Sequence, residues 1–252
     1  MIGGLGCKLP PPGAHAGVKA SLSRPQASSL PRSVDQRPSF DEILSQGEIG
    51  SCVLHATTGG CHQRMAMQGL GRWRPARLPA YRQCLERDGV FPADEGTFLE
   101  TAVGVLHDLG FADEKLAPYD DSASAIRRPI PPAYLEACGR AKLVTYMAVA
   151  LDQETVKFEL AAGNSVAVAL SLRESFDRVG DDGEVPVPSL REEEVGGHAM
   201  RLVGYDESGC FAANSWGRRW GRRGYCHVPW LMILGPEHCR SIYSIQAVQV
   251  VE

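Results

Sequence analysis

The stretch Gln46-Gly47-Glu48-Ile49-Gly50-Ser51-Cys52 decides how this chain is read. Its two glycines mark a turn, and the proline-free run from Cys52 to Gln68 that follows reads as a helix entered at Ser51 or Cys52. A thiol at a helix start meets unpaired backbone N–H groups and the positive end of the helix dipole, which lower its pKa from the free value of about 8.5. The same N–H groups, with the Gln46 amide swung toward them, suit the oxyanion formed when a carbonyl is attacked. Taken alone, the stretch fits a buried structural cysteine equally well.

Partners for the thiol lie in the second half of the chain. Gly196-Gly197-His198-Ala199-Met200 precedes an apolar run, and Asn214-Ser215-Trp216-Gly217 opens a later loop. A histidine flanked by small residues at a strand start faces a cleft unshielded. The Asn214 carboxamide can accept the imidazole N–H and fix its tautomer, with Trp216 covering that bond from water. A single histidine before a strand is more often structural. The Cys, His and Asn segments together, in this order, favour catalysis by a nucleophile, a base and an orienting group.

The remaining pattern places these segments on a scaffold. Helices are predicted over Leu78 to Arg87, Thr97 to Leu109 with Gly110 as stop, and Asp152 (the N-cap) to Ala162. Short turn-bounded apolar runs at Val166–Leu170, Ala199–Tyr205, Cys210–Ala213, Tyr225–Val228 and Tyr243–Val251 read as strands. Pro129, Pro131 and Pro132 mark a linker. Helices in the first half and strands in the second indicate a segregated α+β protein of two lobes. Domain bounds are expected at 1–32 for an irregular Pro/Gly-rich arm and 33–252 for one catalytic domain, divided near residue 120.

Composition narrows the classes. In 252 residues, 44% are hydrophobic and 22% charged, with a formal charge of −4, as in ordinary soluble domains. The one basic cluster, Arg218, Arg219, Arg222 and Arg223 around Trp220, reads as a solvated loop rather than a phosphate patch, and no nucleic-acid partner is expected. No run approaches the roughly 20 apolar residues of a membrane span, and the N-terminus lacks the h-region of a signal peptide, which points to a cytoplasmic protein with no membrane partner, a specialised secretion route being the alternative. Eight scattered cysteines read as reduced and buried. Cys52, His55, Cys61 and His62 lie close in sequence, but there is no CxxC pair, and adjacent Cys61 and His62 chelate awkwardly, so neither metal nor cofactor is expected.

These motifs together resemble the papain family of cysteine peptidases, in its bacterial, non-secretory-looking form. Gln46 to Cys52 resembles the family's Gln-Gly-x-x-Gly-Ser-Cys motif. Gly197-His198-Ala199 with Val203-Gly204-Tyr205 resembles its histidine strand, and Asn214-Ser215-Trp216-Gly217 with Trp220-Gly221 and Gly224-Tyr225 its asparagine loop. Leu30 to Asp35 looks like the start of a mature enzyme of that family. His198 lies 146 positions after Cys52, within the family window of about 130–150. Asn214 lies 162 after it, and an enlarged 177–195 stretch is the expected source of the excess.

The resemblance implies a papain-like two-lobe fold, with a helical left lobe bearing Cys52 and a β-barrel-like right lobe bearing His198 and Asn214. It implies peptide-bond hydrolysis through a thioester, with Gln46 and the Cys52 N–H as oxyanion hole. Gly96 would pair with substrate backbone, and Gly197, Ala199 and Val166 would border the pocket two residues before the scissile bond. The sequence departs from the pattern at Ile49, where secreted members carry a disulfide cysteine, and at Val53, where a Trp is usual; His55 sits one turn into the helix. The long inhibitory pro-region is missing, so the short N-terminal arm is expected to cover the cleft. Two alternatives remain at this level: a papain-fold transpeptidase or amide-forming acyltransferase, and an inactive binding module. Oligomeric state is not legible.

Overall fold

A computed structural model describes residues 4–14, 30–71, 73–189 and 191–251. Of the arm at 1–32, residues 1–3 and 15–29 thus lie outside the described residues. Helix α1, Cys52–Met67, is the axis of the molecule. It packs against helices α2 (Arg77–Arg87) and α3 (Leu99–Asp108) on one side. On the other it meets strands β3 (Ser165–Arg173), β4 (Glu194–Tyr205) and β7 (Cys239–Val250). Contact on both sides explains why α1 is buried almost all round. Its interior polar groups are satisfied locally; Thr57 Oγ1, for example, donates to Val53 O at 2.9 Å.

Further short elements complete the chain: β1 (Val34–Asp35), α4 (Pro132–Cys138), β2 (Ala141–Ala148) and α5 (Gln153–Ala161). After β4 come β5 (Gly209–Ala213), β6 (Tyr225–Pro229) and α6 (Trp230–Leu234). Asp152 caps α5 as expected, its carboxylate accepting the Thr155 N–H at 2.9 Å. The linker reading of Pro129 to Pro132 needs correction, because Pro132 begins α4, a first-turn position where the missing N–H costs nothing. Strand β2 escaped sequence reading because two register shifts, around Leu143 to Tyr146, break its alternation.

The sheet runs β2-β7-β3-β4-β5-β6, all neighbours antiparallel, with β1 added on β4. It is open among the described residues, which corrects the barrel-like expectation. One edge strand, β2, lies against α3. The other, β6, is covered by an irregular loop: Val185 N donates to His227 O at 3.0 Å and His227 N to Gly183 O at 2.8 Å. Both edges are thus occupied without closure.

Two main apolar clusters correspond to the lobes. One joins the helices and includes Cys52, Leu54, Tyr81 and Leu106; the other fills the sheet side with Val168, Leu170, Met200 and Val228. Strand β3 serves both. Ala167 and Ala169 belong to the first cluster and Val166, Val168 and Leu170 to the second, as the two-residue period of a strand buried on both faces requires.

Candidate active site

Cys52 is the first residue of α1 and is fully buried. Its thiol is hydrogen-bonded by backbone of Ala199, the residue after His198, which brings the helix start against β4. His198 pairs in register with Leu170 on β3, and Asn214 follows the end of β5. Folding of β4 onto β5 therefore brings together residues 16 apart in sequence, with His198 Nε2 2.7 Å from Asn214 Oδ1.

The hydrogen-bond pattern fixes the tautomer. Asn214 Oδ1 also accepts the Ser215 backbone N–H at 2.7 Å, and a backbone N–H only donates. That oxygen is therefore the acceptor toward His198, Nε2 carries the proton, and Nδ1 keeps its lone pair. Nδ1 has no hydrogen-bond partner among the described residues. Trp216 lies over the imidazole, ring centroids 4.7 Å apart, and is held by Phe176 and Trp220.

Gln46 is buried and held at three atoms. Its Oε1 accepts from Ser215 Oγ at 2.6 Å, and its backbone N–H donates to Ser215 O at 2.8 Å. Its Nε2 donates to Ile49 O and Gly4 O, each at 2.7 Å. The second of these belongs to the N-terminal arm, which runs through the cleft. Thr97 N donates to Gly6 O at 3.0 Å, Lys8 N to Thr97 O at 2.9 Å, and Cys7 N to Gly197 O at 3.2 Å. The arm thus hydrogen-bonds to both walls, and backbone of Gly6 also contacts the Cys52 thiol.

Glycine is required on both sides of this crossing. Gly96 has φ +73°, and a Cβ there would lie 2.1 Å from Gly6 O. A Cβ on Gly6 would lie 1.7 Å from Gly50 O. The residues named from sequence as substrate-binding are thus largely arm-contacting in this state. Gly96 and Gly197 touch it, and Ala199 shares the apolar cluster of Cys7 and Cys52. Val166 does not: it points into the sheet-side cluster, whereas Ala167 and Ala169 belong to the helix-side cluster that contains Cys52. That correction follows from strand alternation.

Burial sets the charge states. It pushes the Cys52 thiol up to about 11, against backbone hydrogen bonds from Ala199 and Gly6 that act the other way. It pulls His198 down to about 4, opposed by the Asn214 hydrogen bond. With the arm seated, thiol and imidazole are both neutral.

Sequence reading missed the group that anchors the turn before Cys52. Asp94 Oδ2 accepts the Gly50 N–H at 3.0 Å, Tyr81 OH donates to Asp94 Oδ1, and Gly96 N donates to Tyr81 OH at 3.1 Å. Asp94 next to Glu95-Gly96 was the available signal. His55 is also placed: buried, with Nδ1 3.0 Å from Ser51 O and Nε2 2.6 Å from Arg77 Nη1, it faces the charged interior rather than the cleft. All eight cysteines are buried and unpaired.

Comparison with known proteins agrees with this geometry. Residues 30–240 match the model of the papain family of cysteine proteases. The chain belongs to that family. Among solved papain-family structures, it is similar to xylellain, a cysteine protease from Xylella fastidiosa, at 25% identity and a TM-score of 0.87, covering 99% of this chain and 97% of that one. A procathepsin B from Trypanosoma congolense shares the fold at 16% identity and a TM-score of 0.75, over 98% and 86% of the two chains. An uncharacterised peptidase C1-like protein of Acanthamoeba polyphaga mimivirus is 28% identical over 218 residues, 81% of this chain and 70% of its own length. Papain-family membership makes the chain a cysteine peptidase, a hydrolase of peptide bonds. Among the described residues no helix is long and apolar enough to cross a membrane.

Proposed function

We propose that this peptidase works through Cys52, His198 and Asn214 and is held closed by its own N-terminal arm. The observation that carries the reading is the 2.7 Å bond from His198 Nε2 to an Asn214 oxygen whose orientation Ser215 fixes, leaving Nδ1 as the free base. In the open enzyme, Nδ1 takes the Cys52 proton as sulfur attacks the substrate carbonyl carbon. Gln46 Nε2 and the Cys52 N–H stabilise the oxyanion. The tetrahedral intermediate collapses to a thioester as His198 protonates the leaving amine. Water, deprotonated by Nδ1, then hydrolyses the thioester and restores the thiol.

The arm opposes each of these steps. Gly4 O takes the Gln46 donor, and the sulfur meets hydrogen-bonding backbone of Gly6. Dehydration of the cleft keeps the dyad neutral. Peptide displacing the arm would use the same groups, with Thr97 and Gly197 offering backbone partners, Gly96 allowing the close approach and Ala199 an apolar wall. Three structural neighbours are proforms, which is in keeping with a peptide seated in this cleft.

The test compares the full chain with one lacking residues 1–30, on a fluorogenic peptide library, with Cys52→Ala in both as control. Hydrolysis and epoxide labelling of Cys52 are expected in the shortened form. Equal rates in both forms would remove the inhibitory role of the arm, and no labelling in the shortened form would remove the catalytic reading.

A further inference from the structure

Behind the His198–Asn214 pair, between the lobes, lies a cavity with a volume of about 20 Å3. Its walls include Glu42, His55, Ala56, Arg201 and Asn214. That volume exceeds the roughly 10–15 Å3 needed for a single water-sized occupant. Two donors mark it out. Asn214 Nδ2 is buried and has no hydrogen-bond partner among the described residues, while Oδ1 accepts from His198 and from the Ser215 backbone. Arg201 is only 3% exposed and always charged, yet the hydrogen bonds of its guanidinium go to neutral acceptors: Gln63 Oε1 at 2.6 Å and, weakly, Glu42 backbone O at 3.4 Å.

Carboxylates nearby are engaged elsewhere. Both Glu42 oxygens lie 3.1 Å from His62 Nδ1, and Oε1 also takes Arg74 at 2.8 Å. Glu114 is gripped by Arg77 through two bonds and by Arg74 through a third. His55 adds no charge, since burial and Arg77 pull it down to about 3. Glu42 and Asp41 act on Arg201 only through space, with no carboxylate hydrogen bond to it among the described residues, so the buried guanidinium is incompletely compensated and an anion beside it lowers that cost.

We propose that this cavity binds a single monoatomic anion, chloride in practice, between the Arg201 guanidinium and Asn214 Nδ2. The ion neutralises Arg201 and ties down the free end of the Asn214 amide, which holds Oδ1 on His198 Nε2. Arg201 is thereby a positioning residue for the triad, acting through the ion and Asn214. The inference rests on the role given to Asn214 above, but it is tested by binding rather than by activity, so the two fail separately.

The probe is halide against gluconate at constant ionic strength, on the full chain prepared free of halide. Chloride is expected to raise Tm by roughly 3 °C at a concentration about ten times its Kd. Crystals grown in bromide are expected to give an anomalous peak beside Asn214 Nδ2. Arg201→Gln removes the charge, and Ala56→Val fills the cavity while sparing Arg201; in either variant the halide-dependent shift disappears. Equal Tm in chloride and gluconate for the unaltered chain, or a cavity peak with no anomalous signal in bromide, overturns the proposal. Peptide hydrolysis by the arm-deleted enzyme would still stand in that case.

Discussion

Gln46 Nε2 donates to the carbonyl oxygen of Gly4 at 2.7 Å, so the side chain suited to an oxyanion is occupied by the chain's own N-terminal segment. The arm reaches this place because Gly6 lies against Gly50 and Gly96, where a Cβ on Gly6 or on Gly96 would clash with facing backbone. Gly6→Val is therefore expected to expel the arm without touching the triad. Iodoacetamide should then alkylate Cys52 about tenfold faster or more, equivalent to about 1.4 kcal/mol of closing free energy removed. Lys8→Ala, which loses only an exposed 3.7 Å pairing with Glu95, should leave the rate unchanged. Equal alkylation of the Gly6 variant and the unaltered chain would show that the arm does not limit access.

Asn214 holds one tautomer of His198. In the arm-deleted enzyme, Asn214→Ala should lower kcat by about 10²-fold with little change in KM, because a mispositioned base affects the transition state more than the bound ground state. A variant that changes KM alone would assign Asn214 to substrate binding.

Asp94 fixes the turn before Cys52 by accepting from Gly50 N–H and from Tyr81, joining that turn to Gly96 where no disulfide does so. Removing the carboxylate strands two donors. Asp94→Ala should cost about 1.5–3 kcal/mol per charge-assisted bond lost, and Tyr81→Phe, which loses one of the two, about 1.5–3 kcal/mol in all. Urea denaturation of the arm-deleted chain measures both. An unchanged midpoint for Asp94→Ala would show that the turn is held by other contacts.

Acid should unfold this protein early. His55 and His198 are held neutral by burial, at about 3 and about 4, whereas in the unfolded chain they protonate near the ordinary value of about 6.5. Below about 6.5 the unfolded state binds more protons, so stability present at neutral pH is lost as pH falls toward the folded values. Each histidine contributes a slope approaching about 1.4 kcal/mol per pH unit in that window. Glu42, lowered to about 2 chiefly by His62 and Arg74 against its own burial, adds a loss of the same sign below about 4.5. Thermal melts from pH 7 to 4 should show falling Tm, with a shallower slope in His55→Gln. Identical slopes would mean that His55 does not carry this linkage.

Much of the fold was legible locally. The helix from Cys52, the Asp152 cap and the β3 to β7 strands follow from periodicity and turn chemistry, which act within a few residues. Strand β2 was not legible because its bulges erase the alternation, and α4 was hidden by the prolines that begin it. The open sheet depends on Gly183 to Val185 covering an edge from a distance, a pairing that no local pattern encodes.

The active site divides in the same way. The sequence by itself determined which groups can react: a thiol at a helix start, a histidine among small residues and a carboxamide before a tryptophan. The tertiary structure decided which of them are free to do so. It turned Val166 away from the cleft, gave His55 to Arg77, and laid Gly4 and Gly6 over Gln46 and Cys52. The physical reason is that reactivity here depends on burial and on hydrogen bonds made across the whole chain, and neither is a property of a residue's immediate neighbours.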